Sequence, residues 1–566
     1  MAKTVAIGIQ DFESIRKEDV FYIDKTSFIK DWWESKDMVT LITRPRRFGK
    51  TLNMSMLECF FSNKYEGRSD LFEGLDIWKD EKYRQLQGQF PVIFLSFAGI
   101  KQETFENTRR SINRLIKKLY DSYSWLKEEP WFSDSDKDFF SEINMEMNDS
   151  VAADSINTLC GWLYRHYGKK CIILLDEYDT PLQEAYVGGF WNEIVGYTRA
   201  LFNNTFKTNP NLGKAVMTGI TRVSKESIFS DLNNLKVVTT TSNKYATSFG
   251  FTEQEVFDAI DEQGMPEEDK KKVKRWYDGF TFGKASDIYN PWSIIMYLDE
   301  GRLDAYWANT SSNSLVNRII QSGSNSIKEG IKTLLDGGTI KARIDEQIVF
   351  NQLDSNRNAA WSLLLASGYL KVEALEWDEF EGEDIYTLSL TNFEVKRMFR
   401  NMITGWFDED DSFGLFVSAM LKGNTSEMNR YMNKVALNTF SYFDTGSNPS
   451  SESEPEKFYH GFVLGLMVDR ARDYVLRSNR ESGFGRYDVV MEPKDKENVA
   501  VIMEFKVYDK EYDMEDGLED TAKNALLQIE QMKYEADLLS RGIRKDRILK
   551  YGFAFRGKKC LIVKGG

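Results

Sequence analysis

The stretch "MVTLITRPRRFGKTLNMSML", residues 38–57, decides how the rest of the chain is read. It opens with a short apolar run of the kind a buried strand makes. It then turns through a basic segment ending Gly49-Lys50-Thr51 and continues with apolar residues at helical spacing. Strand, loop and helix in that order are what phosphate binding needs. Backbone N–H groups converge at a helix N-terminus, a lysine reaches the terminal phosphates, and a hydroxyl meets Mg²⁺. The usual pattern is G-x-x-x-x-G-K-[ST], and here Arg44 stands in the place of the opening glycine. Lys50 is expected on the β- and γ-phosphates, Thr51 on the metal, and Gly49 where the backbone approaches closely. With Arg44, Arg46 and Arg47 crowding the turn, electrostatics are expected to replace part of what the glycine's backbone would supply, and Arg47 is counted among the nucleotide contacts.

Other apolar runs extend the pattern. "FPVIFLSF" (90–97), "CIILLDEYD" (171–179) and "KAVMTGIT" (214–221) read as strands, and residues 101–125 as a helix, so an open parallel α/β sheet covered on both faces is expected. The third strand ends in Asp176-Glu177, where Asp176 is placed to hold Mg²⁺ and Glu177 to polarise the attacking water. The fourth ends "MTGITR", offering Thr218 to sense the γ-phosphate and Arg222 to touch it.

Composition bounds the rest. A chain of 566 residues suggests about three domains, and 42% hydrophobic with 14% aromatic residues is the composition of a folded protein. No apolar run is long enough to span a bilayer and the first residues carry no signal-peptide pattern, so a cytoplasmic location with no membrane partner is expected. Four scattered cysteines fit reduced core thiols. With only His166 and His460, a histidine-rich zinc site is excluded, and metal chemistry must rest on carboxylates, which suits Mg²⁺ or Mn²⁺. The net charge of −14 argues against a dedicated nucleic-acid binder but leaves room for an enzyme with one locally basic cleft.

From about residue 252 helical patterns take over, in "TEQEVFDAIDEQG", "EEDKKKVKRWYDGF" and "NPWSIIMYLDEG", with some strand signal such as "IYTLSL" (385–390). The polar, Ser/Pro-rich stretch "DTGSNPSSESEPEK" (444–457) reads as a linker or loop. After it the pattern is helix, strand, strand, helix, strand, strand.

The two strands "RYDVVMEP" and "VAVIMEFKV" carry a second constellation. Side chains alternate along a strand, so Glu504 and Lys506 share a face, and a hairpin brings Asp488 beside Glu504. Two carboxylates then bind a divalent metal, while the lysine orients or deprotonates water or stabilises charge developing on phosphate. Glu-x-Lys also occurs at Glu268 and Glu394, but only the copy at 504 lies in an apolar strand after an Asp-bearing one. His460, on an apolar helix, reads as a core residue, and "RGIRKDRILK" (541–550) as a solvated face more than a nucleic-acid contact.

The motifs "IGIQDFESIRKEDVFYIDKTSFI", "RPRRFGKT", "LLDEYDTPL", "TGITRVSKESIFSDLNNL" and "WYDGFTFG…IYNPWSI", in order over residues 5–285, resemble the AAA-ATPase-like family of bacterial proteins among P-loop NTPases. The resemblance implies ATP binding, and in that family the loop typically reads R-P-R-R-F-G-K-[ST], so Arg44 looks like the family's own variant. Residues 410–566, with "FYHGFVLGLM", "SNRESGFGRYDVV", "IMEFKV" and "ALLQI", resemble the PD-(D/E)XK nuclease superfamily. That resemblance implies Asp488, Glu504 and Lys506 as the active site, with Asp488 and Glu504 on the metal and Gln528 as an accessory. Glu456 or Glu481 is the further acid, and Tyr487 replaces the Pro of the family name.

The expected architecture is thus a P-loop domain (1–285), a mostly helical middle or lid region (286–409) and an α/β restriction-endonuclease-like domain (410–566). The leading expectation is an ATP-binding, ATP-hydrolysing protein with a Mg²⁺- or Mn²⁺-dependent nuclease domain, nucleotide-gated, acting on DNA ahead of RNA. The rival is a regulatory ATP-binding switch whose C-terminal domain binds without cleaving. Self-association into a homo-oligomer is compatible with both.

Overall fold

The protein is described from a computed structural model, covering residues 3–221, 228–229, 232–308, 316, 325–345, 357–405, 412–439, 473–482, 485–508, 517–556 and 559–565. Two compact units emerge: Met1–Ile319 with Gly337–Lys396, and Ile320–Asp336 with Arg397–Gly566.

The first unit is built on five strands: β1 (Val39–Thr43), β2 (Val92–Ser96), β3 (Cys171–Asp176), β4 (Leu212–Gly219) and β5 (Leu235–Val238). They pair in parallel in the order β2-β3-β4-β1-β5. β1 and β3 are buried along their whole length, which is why both read as mainly apolar runs. Residues of opposite parity serve the two faces. Ile172 and Leu174 of β3 pack into a cluster with Met54, Leu57 and Phe61 of helix α1 (Lys50–Phe61), while Cys171 turns to the other face and reaches the Cys160 carbonyl of helix Asp149–Tyr167. The helices thus cover both faces, and the mixed α/β sheet read from the sequence is present. β5 was not foreseen: its four residues are mostly half-exposed and lack a distinct apolar run.

The three helical patterns after residue 252 form helices Glu253–Glu262, Glu267–Tyr277 and α2 (Pro291–Glu300). The first starts on a Thr252/Glu255 capping box, and α2 starts on Asn290, whose side chain caps the N–H groups of Trp292 and Ser293. They are accompanied by a three-stranded sheet of β6 (Phe251–Thr252), β7 (Asp278–Phe282) and β8 (Ala285–Tyr289). A further antiparallel sheet, β9 (Ile340–Arg343), β10 (Leu370–Asp378) and β11 (Glu383–Leu390), contains the "IYTLSL" strand. Helix α3 (Phe393–Gly405) follows it.

The second unit holds a mixed sheet in the order β12 (Tyr474–Ser482), β13 (Gly485–Pro493), β14 (Ala500–Val507), β15 (Ile548–Arg556) and β16 (Lys559–Lys564). Only the β14–β15 pair is parallel, with helix α4 (Leu518–Gln531) in the crossover. One face of β13 and β14 buries Val490, Ala500 and Ile502 with Ile529 of α4. The other buries Met491, Met503 and Phe505 with residues of helices Ser412–Lys422 and Thr425–Thr439. The strands and helix expected after residue 484 are all present. The Ser/Pro-rich stretch, the helix containing His460, and Glu456 lie outside the described residues.

Candidate functional site

The phosphate loop sits at the carboxyl end of β1, where open α/β sheets bind ligands. Gly49 takes the left-handed conformation (φ 75°, ψ 15°) immediately before α1, and Arg47 is also left-handed at φ 65°. A Cβ at Gly49 would meet nothing within 4 Å, so the positive φ selects glycine there, and the space beside the helix N-terminus stays open. Lys50 donates to the carbonyls of Arg44 (3.0 Å) and Pro45 (2.8 Å). Burial pushes its ammonium below the usual lysine range, while Glu177, Asp176 and Asp179 pull it back up.

The Arg44 guanidinium does not crowd this turn as the sequence led one to expect. It points into the protein, fully buried, and donates to the carbonyls of Thr43 (3.0 Å) and Thr239 (2.5 Å), with longer contacts to Lys244 and Tyr245 (both 3.4 Å). The face of Phe282 lies 4.4 Å from the guanidinium carbon. Arg44 is a cage for strand ends, and burial lowers its pKa to about 9. Arg46 reaches Gln183 at 3.4 Å, and Arg47 stacks on Trp292 at 4.4 Å.

Register aligns the metal-side groups. Leu175 of β3 pairs with Met217 of β4, which brings Asp176 beside Thr218. The buried Asp176 carboxylate accepts from Thr51 Oγ1 (2.7 Å) and Thr218 Oγ1 (2.5 Å). Burial raises its pKa, and the two hydroxyls and Lys50 act against that rise. Thr218 Oγ1 also accepts from the Glu177 N–H (3.3 Å), and Glu177 itself is left-handed at φ 51°. A hydroxyl and a carboxylate side by side form a hard oxygen donor set of the kind Mg²⁺ takes. Arg222 lies outside the described residues.

Asp179, unremarked in the sequence, is buried and gathers the N–H groups of Ile220 (2.9 Å) and Thr221 (3.0 Å) and the Gln183 amide (2.9 Å). It fixes the end of β4 and thereby Thr218. A Cβ at Gly219 would lie 2.8 Å from its Oδ1, so glycine is required there. The only sequence signal was its place in "LLDEYD".

In the second unit, β13 and β14 pair Val489 with Met503, so Asp488 stands opposite Glu504. The Asp488 N–H points to Glu504 Oε2 (3.4 Å), and the Phe505 N–H donates to Asp488 Oδ2 (2.9 Å). Burial raises the Asp488 pKa, against the Phe505 bond and the Lys506 charge. Gln528 on α4 donates to Glu504 Oε1 and contacts the Tyr534 hydroxyl at 3.3 Å. Glu504 is paired in register with Gly552 of β15. A Cβ on Gly552 would lie 2.2 Å from the Ala522 carbonyl of α4, so this glycine lets the helix approach closely enough for Gln528 to reach Glu504. Lys506 is half-buried two residues on, at the same strand parity as Glu504. Glu481 on β12 is in register with Arg486 on β13. The basic stretch 541–550 forms local ion pairs: Arg541 with Asp537, Arg544 with Asp546, and Lys550 with Glu535.

A parallel sheet with a glycine-lysine-threonine loop at a helix N-terminus and an Asp–Thr pair on the adjoining strands is the fold of a P-loop NTPase. Residues 6–229 match the family model described as "Predicted AAA-ATPase", and residues 454–565 match that of the PD-(D/E)XK nuclease superfamily. The chain carries an AAA-ATPase-like domain followed by a PD-(D/E)XK nuclease-superfamily domain. It is 27% identical over 313 residues, 55% of this chain, to an uncharacterized protein of the vnfD 5′ region in Azotobacter chroococcum mcd 1. That alignment spans 54% of the relative, about half its length. A match to the structure of C. elegans PCH-2, covering 65% of this chain and 72% of that one at 10% identity, has a TM-score of 0.20, too low to indicate a common fold. Among the described residues no helix is long and apolar enough to cross a membrane.

Proposed function

We propose that the protein binds and hydrolyses ATP and that its C-terminal domain cleaves phosphodiester bonds in nucleic acid, DNA ahead of RNA, in the cytoplasm. The observation that carries the reading is the hydrogen-bonded cluster of Thr51, Asp176 and Thr218 beside Gly49 and Lys50. In this reading Thr51 and Asp176 hold Mg²⁺, which supplies Lewis-acid stabilisation of the phosphate oxygens. Lys50 exchanges its two carbonyl partners for phosphate oxygens, Arg47 and Gly49 line the anion, and Glu177 orients the attacking water. Thr218 and Arg222 sense the γ-phosphate. In the second unit Asp488 and Glu504 hold Mg²⁺ or Mn²⁺. Gln528 fixes the Glu504 carboxylate, and Lys506 stabilises charge on the scissile phosphate. Nucleotide state gates cleavage, a proposal motivated by the two sites sharing one chain.

The test incubates the purified chain with DNA and with RNA, in Mg²⁺ or Mn²⁺, with and without ATP. Cleavage is expected from the unaltered protein and from Glu268→Ala, whose Glu-x-Lys lies on an exposed helix, and is expected to vanish in Glu504→Ala. Tight ATP binding with no cleavage under either metal would refute the nuclease and leave a regulatory switch. Cleavage in Lys50→Ala with unchanged nucleotide dependence would refute the gating.

A further inference from the structure

The sequence motifs "WYDGFTF" and "YNPWSI" have no role in the chemistry above, yet they enclose the phosphate loop from outside. Phe48 packs edge-on to Phe280 (4.8 Å) and Phe282 (5.3 Å), and a Cβ at Gly368 would strike Pro45 at 2.8 Å. The decisive contact is to a backbone oxygen. The Arg46 carbonyl accepts from Asn290 Nδ2 (3.3 Å) and from the Trp307 indole N–H (3.0 Å).

Both donors are held in turn. Asn290 Oδ1 accepts the Ser293 N–H (3.3 Å), and Ser293 Oγ donates to Glu394 Oε2 (2.9 Å). Glu394 Oε1 accepts the N–H groups of Trp307 (2.6 Å) and Ala308 (3.3 Å). The bonds close a ring that starts and ends on the Arg46 carbonyl, around a carboxylate with no exposure to solvent. A trans peptide is planar, so its C=O and the next N–H point in opposite directions. Pinning the Arg46 oxygen outward therefore turns the Arg47 N–H to the other side, away from Asn290 and Trp307. A flip of this one peptide would exchange an N–H for a carbonyl oxygen on that side, and an oxygen repels an anion.

We propose that Asn290, Trp307 and Glu394 are positioning residues for nucleotide binding, which lock the Arg46–Arg47 peptide in the orientation that offers its N–H to phosphate. The inference rests on the phosphate loop being an ATP site.

The test uses the full chain and two substitutions that remove only donors. Trp307→Phe keeps the ring between Phe280 and Tyr369, and Asn290→Ser keeps a capping oxygen on α2 without adding charge beside the loop. Loss of both donors is expected to weaken Mg·ATP binding about tenfold, the effect of losing two modest hydrogen bonds. The unfolding temperature without nucleotide should change by only a few degrees. Glu394→Gln, whose amide oxygen can still accept from Trp307 and Ala308, should keep affinity within about twofold, whereas Glu394→Ala should match the double variant. ATP affinity equal to wild type in the folded double variant would overturn the proposal. If that variant does not fold, hydrogen exchange on the unaltered protein decides. ATP should slow exchange at residues 290–308 together with 44–50, and protection confined to 44–50 would overturn the lock. If the unaltered protein binds no ATP, the proposed function and this inference fall together. If it binds and the variant binds equally, only the lock falls.

Discussion

Arg44→Gly restores the glycine that a phosphate loop usually has, and the geometry says that the result is a weaker protein with the same affinity for ATP. The substitution removes two short charge-assisted bonds, to the carbonyls of Thr43 and Thr239, each contributing about 2 kcal/mol. It also vacates the volume beside Phe282, at a cost of about 3 kcal/mol. Against these stands the desolvation of a buried cation. Burial brings its pKa down to about 9, so a burial penalty of several kcal/mol is returned when the charge is removed. The net expectation is a loss of roughly 2 kcal/mol. Arg44→Met, which fills the volume without the charge, should lose under about 1 kcal/mol. Urea unfolding followed by tryptophan fluorescence gives the stability, and titration with Mg·ATP gives the affinity, expected to stay within about twofold. The reasoning would be refuted by the opposite result, a tenfold weaker affinity with unfolding unchanged, because the guanidinium would then be serving the phosphates.

Thr218→Val keeps the shape of β4 but removes the hydroxyl shared by Asp176 and the Glu177 N–H, so ATP hydrolysis should fall about tenfold or more while binding changes little. Equal turnover in a single-turnover assay would contradict this role. Gly552→Ala drives α4 away from β15 and Gln528 away from Glu504, and should cut nucleic-acid cleavage at least about tenfold with ATP binding intact. Glu394 predicts a pH dependence, since burial raises its carboxyl to about 7 in the fold against 4.5 in the open chain. The folded form then holds the proton more tightly, so its stabilising effect is complete below pH 4.5 and is lost as pH rises through 7, a difference of about 3 kcal/mol. Thermal unfolding of wild type should drop between pH 5 and 8 relative to Glu394→Gln, and parallel curves would rule out the assignment.

The juxtaposition of residues in both candidate sites could be read from the chain because they are neighbours in it or on adjacent strands. Gly49-Lys50-Thr51 follows its strand after one short loop, strand parity put Glu504 with Lys506, and a hairpin put Asp488 beside Glu504. Roles that depend on distant partners could not be read. The acceptors that define Arg44 lie some 200 residues away, so its basic context suggested phosphate when its side chain serves carbonyls. Glu394 appeared only as a spare Glu-x-Lys, since nothing local marks a carboxylate whose donors sit in a loop about 87 residues earlier. β5 and β12 were missed because neither has a distinctive apolar run, and sheet position, not composition, makes them strands.

The cage around the phosphate loop also bears on how the protein is made. The ribosome delivers residues 43–54 early, but Phe282, Asn290, Trp307, Gly368 and Glu394, which pack on or bond to that loop directly or through one another, emerge much later. On the proposed lock, the loop's full set of contacts forms only when nearly 400 residues have been synthesised. A fragment cut at residue 229, where the family match ends, would keep the lysine and threonine but lose the wall that shapes their turn. If the proposed lock holds, the smallest piece with full affinity for nucleotide extends to Glu394, far beyond the motifs that announce it.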